Sequence, residues 1–228
     1  MKRWLLIGAG VIVGLFVVVQ AATFVYIHFI EADPPPRLSL DTSSASSSSP
    51  QPVTGTIEGT WTATTGSEAG YRVHENLHGQ DNEAAGRTNQ VTGTLVIDGS
   101  TISTAQIVVD LASVKSDDNR RDNQYRNRIM DVSRFPTATF ELNQPIVLPS
   151  VPTDTSTLSV QATGNLTLRG TTKPVTVDLN AQRSGADIRV QGAIPVRFDD
   201  WGIPSPSFVD ISVDDHGEIE FLVVFTKG

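Results

Sequence analysis

Residues 158–181 read LSVQATGNLTLRGTTKPVTVDLNA. Apolar or small residues fall at every second place: Leu158, Val160, Ala162, Gly164, Leu166 and Leu168, then Val175, Val177, Leu179 and Ala181. That period of two is the signature of a strand with one buried face. Between the two runs lies Arg169-Gly170-Thr171-Thr172, a glycine-containing turn, so the stretch predicts an antiparallel hairpin.

Working outward, the same alternation recurs through Ala105, Ile107, Val109 and Leu111, and through Ile188, Val190, Gly192, Ile194, Val196 and Phe198. Ile219, Phe221, Val223 and Phe225 repeat it once more. Further turns are expected at Arg183-Ser184-Gly185-Ala186 and at Asp214-Asp215-His216-Gly217. Ser116 to Met130 breaks the pattern. Its Ser/Asp start, early acids and later basic residues suit a single helix and its dipole. Many antiparallel strands plus one helix predict an all-β fold, either a sandwich or a closed barrel, and the period alone does not choose.

Upstream the character changes. Lys2-Arg3 precedes an uncharged run from Trp4 to Ile30, which as a helix would span about 40 Å against a ~30 Å hydrocarbon core. The expectation is a single-pass anchor over residues 1–30, with the C-terminal part extracytoplasmic by the positive-inside rule. Val19-Gln20-Ala21 leaves the alternative of a cleaved signal peptide and a secreted protein. His28 reads as an interfacial residue. Residues 31–56 are proline- and serine-rich and are expected to be a disordered tether of about 30 Å to a domain over 57–228.

The 228-residue chain carries a formal charge of -8 and no cysteine. Such an acidic surface repels phosphate backbones, so nucleic acid is excluded as a partner. Disulfides, thiol catalysis and thiolate metal sites are excluded with the cysteines.

His74-Glu75-Asn76-Leu77-His78 matches the His-Glu-x-x-His pattern of zinc peptidases, in which two histidines hold the metal and the glutamate activates water. That chemistry needs a helix and a third ligand. Here Gly70 and Gly79 bracket the motif, and Tyr71 and Val73 carry a strand alternation into it. Along a strand the two imidazoles would lie about 13 Å apart. No metal and no catalytic residue is expected, and the peptidase stands as a remote alternative.

Several blocks together resemble the YceI-like, or polyisoprenoid-binding, family over essentially all of residues 57–228. Thr163 to Val175 is similar to its G-x-L-T-x-R-G-x-T-K-P-V hairpin. Val109-Asp110-Leu111-Ala112-Ser113-Val114 followed by Arg121-Asp122 resembles its strand, serine and Arg-Asp helix. Phe135-Pro136-Thr137-Ala138-Thr139-Phe140 resembles a strand entry, and Trp201-Gly202 an aromatic-Gly pair. Two places depart from the pattern: Glu75 stands where a histidine is common, and Ile129-Met130 where paired aromatics are.

The resemblance implies an eight-stranded antiparallel, lipocalin-like barrel with one short helix, and a non-enzymatic role in binding, storing or carrying a long isoprenoid or similar lipid, which the expected N-terminal anchor would place at the outer face of the cytoplasmic membrane. No cofactor is implied beyond a bound isoprenoid lipid or quinone. The candidate interior and mouth residues are Tyr71, Val73, Ile107, Val109, Phe140 and Ala162, together with Gly164, Leu166, Val177, Ile194, Trp201 and Phe208. Small residues among the inward stripes either leave room along the axis or fit the barrel's taper. Arg121 and Asp122 either meet a headgroup or brace the helix. Trp201 and Phe208 either form an apolar lip or plug the barrel. A surface interaction scaffold with a packed barrel is the alternative function.

Overall fold

A computed structural model of the chain describes residues 16–22, 34–40, 55–77, 79–151, 154–205 and 211–228. His28, His78, Phe208, the serine tract and most of the apolar run lie outside them. Eleven strands are present: β1 (Gly59–Ala63), β2 (Glu68–Leu77), β3 (Gln80–Thr88), β4 (Val91–Asp98), β5 (Thr101–Asp110), β6 (Thr137–Leu142), β7 (Ile146–Val147), β8 (Thr157–Leu168), β9 (Thr171–Ser184), β10 (Asp187–Arg197) and β11 (Ile211–Lys227). Every pairing between them is antiparallel.

These strands make eight staves. β1 and β2 both pair with β11, at Phe225–Lys227 and at Ile211–Leu222 respectively, so they are two halves of one bent stave. β3 pairs with β2 and β4 with β1, which makes a second bent stave. β6 and β7 share β5 as a neighbour and form a third. With β5, β8, β9, β10 and β11 the ring closes at β1. Closure removes the exposed edges that an open sheet must protect. Between sandwich and barrel, the barrel is what forms.

The opening hairpin is as read. Leu168 faces Thr171 across a two-residue turn. Arg169 and Gly170 both have positive φ, 47° and 75°, the backbone a primed turn demands. Gly185-Ala186 makes another two-residue turn, between β9 and β10, in which only Gly185 has positive φ, 62°. Pro174 lacks a donor, yet it lies where β9 has only β8 beside it, since β10 joins β9 only from Leu179 onward.

Three expectations are corrected. Asp214-Asp215-His216-Gly217 is not a turn: β11 runs through it, with a register shift between Val213 and Gly217. A bulge absorbs extra residues without ending the strand, which is why the polar run misleads. The helix is shorter than 116–130. It starts after Asp118, whose carboxylate caps Arg120, spans α1 (Asn119–Gln124), and widens into a π-turn at Tyr125–Ile129. Nor is all of the tether loose, because residues 34–40 lie along the barrel wall.

Residues 16–22 are helical, but no helix among the described residues is long and apolar enough to cross a membrane. The core has two parts. One lies under α1 around Tyr125, Leu166, Ile194 and Trp201, and the other at the far end around Trp61, Leu95, Val223 and Phe225. Residues 55–57 close that far end, where Ile57 accepts from the Trp61 indole at 2.7 Å.

Candidate ligand cavity

Alternation along the staves turns Tyr71, Val73 and Glu75 of β2 inward, and these line the barrel's upper cavity. Its volume is about 480 Å³, and Arg121, Tyr125 and Ile129 of the helical segment complete its wall. A second cavity of about 160 Å³ lies deeper and is lined by Ile107, Phe140, Ala162, Leu166, Val177 and Ile194. Ala69, Val109, Ala138 and Ile219 line both, so the two meet end to end along the axis. Glu75 and Arg121 stand at the upper end, while Gln182 and the buried Arg183 border the deep space.

Eleven of the twelve expected interior and mouth residues fall among the described residues, and one of them, Trp201, lines neither space. Ile107, Val109, Phe140, Ala162, Leu166, Val177 and Ile194 line the deep space, while Tyr71 and Val73 line the upper one. Gly164 does neither. A Cβ there would sit 2.4 Å from Cζ of Phe140 and 2.5 Å from the Glu141 carbonyl oxygen, so the missing side chain makes room for a cross-strand ring. Gly192 is filled likewise by the ring of Phe221. For the glycines the fit to the wall is what forms; Ala105, Ala162 and Ala181 border open space.

Trp201 plugs. It is 4 % exposed, its indole donates to the Leu166 carbonyl at 3.5 Å, and the Lys173 ammonium lies over its ring. It sits in a short turn (Phe198–Trp201) beside the stretch where β9 and β10 part. Of the two alternatives, lip and plug, burial favours the plug at Trp201, and Phe208 lies outside the described residues.

The helical pair divides. Asp122 is buried and accepts from the Ser116 amide and hydroxyl, both at 2.8 Å, which makes it a brace. Arg121 stands at the upper cavity, donating to Glu75 at 3.4 Å and pairing with Asp117. Glu75 also accepts from Asn82 at 2.9 Å. A carboxylate held between an amide and a guanidinium is a satisfied buried charge.

His74 points the other way, outward, with Asp214 3.8 Å from its ring. Its neighbour Glu75 faces in, so histidine and glutamate lie on opposite sides of the sheet, as alternation requires. Among the described residues no group of histidines, cysteines or carboxylates is arranged to hold a metal.

Tyr125 was not among the sequence candidates. Its ring stacks on Tyr71, centroids 5.1 Å apart and planes 16° off parallel, and burial pushes both phenols well above their ordinary range. The clue was available in the spacing of Tyr125 and Ile129, four apart and so on one helical face.

Fold and lining together define a small closed antiparallel barrel with a long, mostly apolar interior. The chain belongs to the YceI-like domain family, whose description matches residues 44–225. It is 28% identical over 144 residues to a UPF0312 protein of Vibrio parahaemolyticus, covering 58% of this chain and 72% of that one. To a UPF0312 protein of Pseudomonas aeruginosa it is 31% identical over 127 residues, 52% of this chain and 62% of the relative. Among solved structures, a polyisoprenoid binding domain from Saccharophagus degradans superposes with a TM-score of 0.59 at 17% identity, over 75% of this chain and 99% of that one. BcnA of Burkholderia cenocepacia gives 0.52 at 20% identity, over 68% and 95%. At these identities the likeness is one of fold.

Proposed function

We propose that the barrel binds one long apolar chain, an isoprenoid or similar lipid, with its polar end at Glu75 and Arg121. The observation that carries this is the pair of adjoining cavities, whose walls are mostly aliphatic and whose upper end holds Glu75 and Arg121. Small barrels are filled either by their own side chains or by one ligand, and space of several hundred Å³ is the size of a ligand site. Each buried CH₂ contributes ~0.8 kcal/mol gross, so a chain-like ligand needs no charged anchor. The Saccharophagus neighbour's description as polyisoprenoid binding agrees with that chemistry. The uncharged run from Trp4 to Ile30 after Lys2-Arg3 supports a membrane anchor with the barrel on the outer side.

Mass spectrometry of lipids extracted from the purified full chain tests this, followed by titration with a polyprenol and an isoprenoid quinone. Binding of a long polyprenol that is weakened in Ala162→Phe, which fills the deep cavity, is the expected result. Absence of copurifying lipid together with no titratable binding would favour the packed scaffold instead.

A further inference from the structure

The outer face of β2 and β11 carries charges that are more hidden than much of the core. Arg72 is 4 % exposed and Glu220 2 %, and Arg87 of β3 lies beside them. An outward charge on a barrel normally stays in water. What covers these is the stretch Pro34–Leu40.

The contacts are built around the main chain of that stretch. Arg72 donates to the Pro35 carbonyl at 2.5 Å and Arg87 to the Pro36 carbonyl at 3.2 Å. The Leu38 amide donates to Glu220 at 2.9 Å. Arg37 pairs with Glu218 and lies 3.6 Å from Glu83. Consecutive prolines hold an extended backbone whose carbonyls find no partner within their own segment, so they are free for two guanidinium groups. Beneath, Glu220 receives Arg72 at 2.5 Å and Arg87 at 2.9 Å, which keeps the buried charges compensated.

A second contact lies at the barrel's upper end. Gln80, at the tip of the β2–β3 hairpin, donates to the Gln20 carbonyl at 3.0 Å, and Gln20 belongs to the apolar helical stretch 16–22. Leu77 pairs with Gln80 and Glu75 with Asn82, so the hairpin tip and the polar end of the cavity are neighbours. The Gly185-Ala186 turn is at the opposite end, beside the residues that pair with Thr226.

We infer that the Arg72–Arg87–Glu220 wall is a binding site for Pro34–Leu40, and that this latch holds the barrel with its cavity mouth against a lipid bilayer. A lipid could then pass between the leaflet and the cavity without crossing water. The inference rests on the anchor proposed above, and it adds a fixed orientation that a free tether would not give.

The chain has no cysteine, so single labels are simple to place. The full chain is reconstituted in phosphatidylcholine vesicles carrying a headgroup quencher, with a fluorophore at Asp81→Cys (upper end) or Ala186→Cys (far end). Several-fold stronger quenching at residue 81 is expected. A latch variant combining Pro34→Gly, Pro35→Gly, Pro36→Gly and Arg37→Glu leaves the barrel untouched and should quench the two labels alike. Equal quenching in the unaltered chain overturns the orientation, and a difference that survives in the latch variant overturns the latch. A chain that does not float with the vesicles removes the anchor itself, and with it the orientation, which flotation alone reveals.

Discussion

Ala162 and Gly164 are two residues apart on one inward stripe of β8, yet they should respond oppositely to enlargement. Ala162 borders open space, so Ala162→Phe should keep the unfolding midpoint within a few kelvin while weakening the binding of long polyprenols. At Gly164 even a methyl group meets the Phe140 ring and the Glu141 backbone. Gly164→Ala should therefore cost about 1–3 kcal/mol in urea unfolding, and Phe140→Leu in the same chain should recover part of it. Glu220 offers a different residue-level test. Burial would raise its pKa, but Arg87, the Leu38 amide and Arg72 outweigh that and the net shift is downward. A depressed carboxyl contributes stability above its ordinary value of 4.5 that is lost as pH falls through the lower, folded value. Urea midpoints should therefore drop on acidification below pH 4.5, with a shallower drop in Glu220→Gln. That variant should also be destabilised by about 3–5 kcal/mol at neutral pH, because two buried arginines lose their partner.

At the scale of elements, what the sequence makes legible depends on which face of a strand faces the core. β8, β9 and β10 pack one apolar face inward and show water the other, and their alternation survives in the sequence. β3, QDNEAAGRT, is opaque because its core-facing side holds small residues and its outer side supports the buried charges under residues 34–40. The latch was hidden for a related reason: prolines engage through carbonyls, which leave no side-chain signal. α1 was visible, but its start was placed at Ser116 because serine is a common cap. The cap is Asp118, while Ser116 lies ahead of the helix as a donor to Asp122. Asp122→Ala should orphan that turn at a cost of about 1–3 kcal/mol, and amide exchange around Ser116 and Asn119–Gln124 should speed before that of the barrel strands. In β2 the alternation sends Glu75 inward and His74 outward, so the glutamate is not placed to activate water on a metal held by His74. Zinc titrated into the full chain should give no His74-dependent binding, and a stoichiometric site lost in His74→Ala would reopen the peptidase.

For the whole molecule, the arrangement of two cavities on one axis makes a statement about ligand length. The upper cavity has Glu75 and Arg121 at its wall and the deep one has Arg183, with aliphatic wall between, so on the proposed reading a chain enters past Glu75 and Arg121 and runs toward Leu95 and Phe225. Each isoprene unit that finds apolar wall adds roughly 3–4 kcal/mol gross, less the cost of ordering it, and a unit left outside adds nothing. Affinity should consequently climb with polyprenol length and then level off once the deep cavity is full. Ala162→Phe obstructs the deep space and leaves Tyr71, Val73 and Tyr125 in place above it. In that variant the plateau should arrive at a shorter polyprenol, with short-chain affinity unchanged and long-chain affinity reduced. Isothermal titration across a homologous series reads both features. A length dependence identical in the two proteins would mean that the chain does not lie along the barrel axis, and that the upper cavity alone holds it.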